Sequence, residues 1–387
     1  IGVGVNVLIA GYLGQKNQQK ANSAAALGVV ISVVVGVLIN FLSLFIINPY
    51  YSAFTQNKEI FEYGIAYMSV CVFMQIPNMV HIVIQKILQA TGNMIAPMWF
   101  QIAGVVFNFV FDPLLIFGIG PFPKMGVVGA AVATVLGYVV STIIALIQLF
   151  LTKQKVKPVF KYCLEPQMIK LIFSYGLPSF VMNALGACTV NFANMFLVRY
   201  SDTAVAFFGA YFKVQQLIFM TVNGLIQGCL PIMRFNYRAR EYGRLKQANK
   251  SGTIIATVMM IVGMLLVLIF PKEILFLFSA SEEMCAFGVP AMRIMSLGFV
   301  FSGFSAMIAT YEQATDSIMP GVVVQLLRQG VLLVPVIWLL NSTVQMTGIW
   351  LAFPITEFVT FLVAVVFAKT LSDDFALKIV FTSRNVI

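Results

Sequence analysis

The sequence predicts an all-α polytopic membrane protein of two six-helix lobes, and three observations predict it. Apolar residues make up 60% of the chain and charged residues only 10%, against roughly a quarter charged in soluble domains. The apolar residues fall in long blocks, most of them near the ~20 residues a helix needs to cross a bilayer core with its backbone fully paired. The chain also repeats itself: LQATGNMIAP at 88–97 aligns with EQATDSIMPG at 312–321. Strand-like alternation does not compete, which argues against a barrel.

Polar breaks divide the blocks into a short stub, residues 1–13, and spans at 23–48, 63–89, 95–118, 127–151, 169–200, 204–233, 251–270, 286–310, 318–340 and 346–368. Residues 1–151 then form an N-lobe of the stub and four spans. Residues 152–168 form a basic interlobe linker, 169–370 a C-lobe of six spans, and 371–387 a tail. Basic residues gather in 14–22, 152–168, 234–250 and the tail, whereas the alternate loops hold only Lys58, Lys124, Arg199 and Lys272. That asymmetry places the basic set in the cytoplasm and the chain in the inner (cytoplasmic) membrane. The net charge of +10 therefore reads as an orientation signal, and no nucleic-acid partner is expected.

The repeat fixes the lobe relationship. The offset that carries Gln89 onto Gln313 also carries Gln101 onto Gln325, Gly64 onto Gly288, Glu59 onto Glu283 and Gly4 onto Gly228. With a small gap, Gly126 pairs with Gly348. Corresponding spans face the same way, so the two lobes should be related by a pseudo-two-fold axis along the membrane normal. Ile169 opens the second copy, and its partner would fall before Ile1. The expectation is that one helix and part of the next precede the stub, and that the sequence is a fragment of a twelve-helix protein.

A charge at the centre of a span costs about 2.5–3.5 kcal/mol on insertion scales, so each survivor is a site candidate. Asn108 and Asp112 share one face of the span 95–118. Asp112 lies about 9 Å from the end of that span, and Thr134 about 10 Å into the next, at 1.5 Å per residue. A carboxylate, an amide and a hydroxyl at one depth suit Na⁺, or a proton held on the carboxylate. The simple offset sets Leu332 opposite Asn108 and Val336 opposite Asp112, so the second lobe lacks this set. It carries Arg328 and Glu357 instead, on consecutive spans near mid-depth, whose counterparts are Gly104 and, approximately, Thr134. Opposite charges there are expected to pair.

Further cavity-lining candidates are Tyr67, Asn78, His81, Asn183, Asn194 and Lys213. Glu312 and Asp316 read as a solvated helix end. The cysteines are scattered without CxxC spacing, and His81 is the single histidine, so neither a His-based metal site nor a triad can be built. HExxH and GxSxG are both missing, which sets aside an intramembrane enzyme such as an acyltransferase or protease. No cofactor is expected beyond a coupling ion.

The ordered motifs GYLGQKNQQKAN, QATGN, NFVFDPLLIFG, MGVVGAAVAT, GLP at 176–178, GLIQGCLPIMRFNYRARE and LLRQGVLLVP span the whole chain. Together they resemble the multidrug and toxic compound extrusion transporters, the MATE family, in its prokaryotic branch. The resemblance implies an alternating-access antiporter, monomeric among membrane lipids, that exports organic cations and multiple drugs on a Na⁺ or H⁺ gradient. It implies that Asn108, Asp112 and Thr134 hold the coupling ion. A further acid on the first helix, absent from this sequence, would belong to the same site. The rival within transport is a flippase for lipid-linked precursors or polysaccharide. That needs a strongly cationic cavity, whereas only Lys213 and Arg328 lie well inside spans near the expected cleft. The six-plus-six major facilitator fold is disfavoured because its signature loop is not matched by GQKNQQKAN.

Overall fold

The structure, a computed structural model, describes residues 1–54, 58–160, 165–316 and 318–383. Among them the regular structure is helical throughout. Two units divide the chain, Ile1–Gly176 and Leu177–Ile387. The first holds α1 (Gly2–Gly14), α2 (Gln18–Phe54), α3 (Lys58–Phe73), α4 (Gln75–Ala90), α5 (Ile95–Phe117), α6 (Val127–Leu151) and the start of α7 (Pro166–Leu197). The second holds the rest of α7, α8 (Asp202–Arg238), α9 (Tyr242–Ile269), the short α10 (Pro271–Leu277), α11 (Glu282–Ser296), α12 (Phe299–Ala314), α13 (Ile318–Leu326), a π-turn (Leu327–Val331), α14 (Leu333–Val344) and α15 (Met346–Ser383). Among the described residues, eight helical stretches are long and apolar enough to cross a membrane, and the bent pair α3–α4 makes a ninth. Phe109 and Leu151, each 79% exposed, typify the apolar outer faces. Lipid is the solvent that tolerates them. The protein is a multi-pass membrane protein.

Three expected spans are not simple helices. The span 63–89 bends by 47° between α3 and α4. Pro77 has no N–H, so the Phe73 carbonyl loses its helical partner, and the Asn40 amide donates to that carbonyl instead, at 3.0 Å. The span 286–310 divides at Leu297 and Gly298 into α11 and α12. A Cβ on Gly298 would sit 3.2 Å from Pro354 Cα and from Glu357 Cγ, so the break lies where α15 packs closely. The span 318–340 is interrupted by the π-turn, where Leu332 N donates to the Leu327 carbonyl five residues back at 3.1 Å.

Small residues set the register of α5 on α6. A Cβ on Gly129 would meet the Leu115 carbonyl, one on Gly137 the Gly104 carbonyl at 2.7 Å, and one on Gly104 the Ser141 hydroxyl. Ser141 Oγ donates to the Phe100 carbonyl at 3.0 Å. Without a hydrophobic drive between helices in lipid, this backbone-to-backbone packing is what holds them together. Gly137→Ala is therefore expected to cost about 1–3 kcal/mol, read as a lower melting temperature in detergent. An unchanged melt would show that the helices separate freely.

The same device recurs in the second unit, and it corrects the repeat. A Cβ on Gly348 would meet the Leu340 carbonyl, as one on Gly129 meets that of Leu115. Gly126 (φ 56°, ψ −131°) precedes α6 and Gln345 (φ 56°, ψ −138°) precedes α15. Gly348 thus answers to Gly129, not to Gly126, and Gln345 answers to Gly126. The offset from Leu115 to Leu340 is also one residue longer than that from Gln101 to Gln325. The π-turn lies between these anchors and absorbs the extra residue, since its hydrogen bonds close one residue later than those of an α-helix. Beyond it, Asn108 and Asp112 correspond to Leu333 and Ile337 rather than to Leu332 and Val336. Glu357 corresponds to Tyr138, and Thr134 to Phe353.

The acidic end of α12 also differs from expectation. Asp316 is exposed but paired, taking Arg234 at 2.7 Å and Arg238 at 2.9 Å. Arg234, expected in a basic loop, is 1% exposed inside α8 and donates to the Ala314 carbonyl at 3.0 Å. Glu312 is not solvated. It is 0% exposed, and neither carboxyl oxygen has a hydrogen-bond partner among the described residues. Its counterpart by the repeat, Leu88, is also 0% exposed. A polar group buried unpaired costs ~1–3 kcal/mol, and Leu fills the same place in the first unit. Glu312→Leu is expected to raise the melting temperature in detergent. A fall would mean that the acid has a stabilising partner.

Candidate functional site

In the first unit, the α5–α6 register brings Asn108, Asp112 and Thr134 together. Asn108 Nδ2 donates to Asp112 Oδ1 and to Thr134 Oγ1, each at 3.2 Å. Thr134 Oγ1 donates in turn to the Ala130 carbonyl at 2.9 Å, which fixes the hydroxyl on α6. All three side chains are half-buried. Tyr67 of α3 places its phenol beside Thr134 and Cys71. The cluster holds one carboxylate, one amide, one hydroxyl and one phenol. Among the described residues no group of three His, Cys, Asp or Glu could hold a metal ion. A single negative charge among neutral oxygens suits a monovalent cation or a proton rather than a divalent ion.

In the second unit, the equivalent helices together with α7 and α8 line a cavity of ≈ 390 Å³. Leu333 and Phe353, the counterparts of Asn108 and Thr134, are on its wall, together with Arg328, Thr356 and Glu357. Where Gly104 and Gly137 press α5 onto α6, this unit carries the larger residues Arg328 and Thr356, both buried. Arg328 Nε donates to Glu357 Oε1 at 2.8 Å, and the guanidinium lies 5.3 Å from the centre of the Phe219 ring. The pair is deeply placed, with side-chain exposures of 5% and 14%. Glu357 Oε2 and Thr356 Oγ1 are sealed from the cavity, and neither has a hydrogen-bond partner among the described residues.

A family model described as MatE matches residues 1–114 and 178–339. The chain belongs to the MatE family. Among its relatives, the multidrug export protein MepA of Staphylococcus haemolyticus is 25% identical over 387 residues, covering 99% of this chain and 81% of that protein. MepA of Staphylococcus saprophyticus is 25% identical over 377 residues, covering 96% and 81%. The fold matches a MATE crystal structure in the bent conformation with a TM-score of 0.91 at 21% identity, covering 97% and 84%. It also matches a MOP superfamily transporter from Pyrococcus furiosus, described as having a binding pocket of reversed polarity, with a TM-score of 0.90 at 22% identity, covering 95% and 82%.

The other predicted cavity residues of this MatE chain are dispersed. Asn183 lines the second-unit cavity, its amide donating to the Ser179 carbonyl at 2.7 Å. Lys213 is exposed and off that wall, although its neighbour Phe212 is on it. Asn194 is half-buried on α7, with an Oδ1 that has no hydrogen-bond partner among the described residues. Asn78 is half-buried on α4, and His81 is 6% exposed. The His81 ring stacks on Tyr138 at 6.1 Å and meets Phe100 edge-on at 6.3 Å, which is a packing role in this MatE fold. Sequence reasoning passed over Gln215, Gln216, Asn223 and Thr356 on the cavity wall. Spacing offered one signal: Gln216 and Asn223 stand two helical turns apart on α8, so they share a face.

Proposed function

We propose that this chain exports organic cations and other small drugs across the cytoplasmic membrane by alternating access, driven by Na⁺ or H⁺ at Asn108, Asp112 and Thr134. The MepA relatives are multidrug export proteins by name, and that reading is carried over to this chain here. One observation carries the coupling step: a single amide bridges Asp112 and Thr134 with two equal hydrogen bonds. With no cation bound, the amide N–H groups satisfy the carboxylate. A cation or proton arriving at Asp112 competes with them. A half-turn of the Asn108 amide then brings its carbonyl oxygen to the newcomer, while its N–H groups seek other partners. The occupant therefore exchanges one hydrogen-bond arrangement between α5 and α6 for another, a two-state element that an ion gradient can bias. The basic loops 14–22, 152–168 and 234–250 and the C-terminus are assigned to the cytoplasm.

Neutralising the carboxylate also removes the charge that a cationic drug would seek. Ion and drug then exclude one another, which is the requirement for exchange transport. The flippase alternative finds less support, because Arg328 is already committed in part to Glu357. The test is reconstitution in liposomes loaded with ethidium, with Na⁺ and H⁺ gradients imposed separately. Gradient-driven ethidium movement under one of them is expected, and its absence under both overturns the reading.

A further inference from the structure

The lipid-facing stripe of α9 runs directly into a group of exposed cations. Ile254, Val258, Val262 and Leu265 recur every three or four residues and are all exposed, so they mark the face of α9 turned to lipid. A hydrocarbon core of about 30 Å, counted back from Ile269 at the end of α9, reaches Lys250. Lys250 stands one turn before Ile254, and Arg244 about three turns before Ile255, so both continue the stripe into the headgroup layer. Arg240, Arg244, Lys246 and Lys250 are exposed, and none has an ion pair among the described residues. The nearby Arg234 and Arg238 are spent on Asp316, and Glu241 is the only acid between Arg240 and Lys250.

The first unit closes the matching end with its own chain. The repeat sets Ala21 and Asn22 opposite Ala248 and Asn249. There the segment after α6 returns over the start of α2. Gln18 Nε2 donates to the Lys155 carbonyl at 2.6 Å, Lys157 N to Asn22 Oδ1 at 3.2 Å, and Val159 N to the Asn22 carbonyl at 3.3 Å. In the second unit α15 stays helical to Ser383, and no group makes the equivalent bond to Asn249 Oδ1 among the described residues.

We propose that the cytoplasmic start of α9 docks an anionic phospholipid, with its phosphate on Arg244 and Lys250 and its acyl chains along Ile254 and Val258. The guanidinium fork matches phosphate oxygens in parallel hydrogen bonds. The lysine stem lies along apolar surface while its ammonium reaches the headgroup. Arg240 and Lys246 add to the attraction, as clustered basic residues beside a membrane do for anionic lipid. A soluble acidic partner would meet these cations and leave the adjoining apolar stripe unmatched, whereas a phospholipid complements both. The inference goes beyond the export reading and shares with it only the assignment of this loop to the cytoplasm.

The experiment is native mass spectrometry of the purified protein in a neutral detergent. It is titrated with phosphatidylglycerol, with phosphatidylcholine of the same acyl chains, and with glycerol phosphate, the headgroup without chains. Phosphatidylglycerol is expected to bind about tenfold or more tighter than phosphatidylcholine, and glycerol phosphate should not be retained. Arg244→Gln/Lys250→Gln should remove most of that preference, with the melting temperature unchanged because both side chains are exposed. Arg199→Gln/Lys272→Gln removes the same charge from the alternate loops and should keep the preference. Equal retention of the two lipids by the wild type, equal loss in the two double variants, or retention of glycerol phosphate as strong as that of phosphatidylglycerol overturns the proposal. Neither a gradient nor a drug enters this measurement, so its failure and a failure of gradient-driven export are separate results.

Discussion

Asp112→Asn is expected to abolish the gradient dependence proposed for export while leaving the protein folded. The substituted amide keeps the shape of the carboxyl group, so α5 and α6 retain their glycine-mediated contact at Gly104 and Gly137. Asn108 retains a hydrogen-bond acceptor at position 112 and keeps its bond to Thr134. What is lost is the only charge of the triad, and with it, on the proposed coupling, the means of holding a proton or attracting Na⁺. Gradient-driven ethidium movement in liposomes should fall to the level of protein-free vesicles, with the melting temperature unchanged within a degree or so. Removing a half-buried carboxylate whose recorded hydrogen bond comes from an amide leaves no opposite charge unpaired. A variant that still follows the imposed gradient would move the coupling site elsewhere in the chain.

Glu357→Ala is expected to destabilise the second unit by about 3–5 kcal/mol, the usual consequence of leaving one member of a buried ion pair alone. Arg328 is 5% exposed on its side chain, and nothing else recorded in the structure carries its charge. The Phe219 ring offers only a weak substitute. The melting temperature in detergent should drop by several degrees. Replacing both charges together, Arg328→Met with Glu357→Leu, should recover most of the loss, since an apolar pair of similar volume needs no compensation. Equal destabilisation by the single and double variants would mean that the cost comes from the altered cavity and not from the stranded guanidinium.

Much of this was legible in the sequence, for physical reasons. Lipid demands long apolar helices, so the spans could be read from composition alone. The triad was legible because Asn108 and Asp112 stand one helical turn apart and a short connection brings Thr134 alongside. Tyr67 was named as a cavity residue but not as a neighbour of Thr134, because packing of α3 on α6 leaves no periodic signal. Glu312 was misread because a residue near a helix end is usually hydrated, and burial by other helices cannot be seen from its own segment. The Gly126–Gly348 pairing failed for a different reason. Two glycines in similar contexts look alike as letters, whereas a Cβ built on each meets different neighbours. The bend at Pro77 is signalled by the residue itself, but its angle depends on the Asn40 side chain that takes the freed carbonyl.

The additional residue in the π-turn turns a duplication into a division of labour. Ahead of it the copies keep step, as at Gln101 and Gln325; past it every α14 position is advanced by one, which rotates the following helix face by about 100° relative to an uninterrupted helix. A gene fusion that exchanges α5 for the α13–α14 stretch would therefore need its crossover placed outside Leu327–Val331. Otherwise it would import the neighbour's side chains on the wrong azimuth, and neither the Asn108–Asp112–Thr134 cluster nor the Arg328–Glu357 cavity would form.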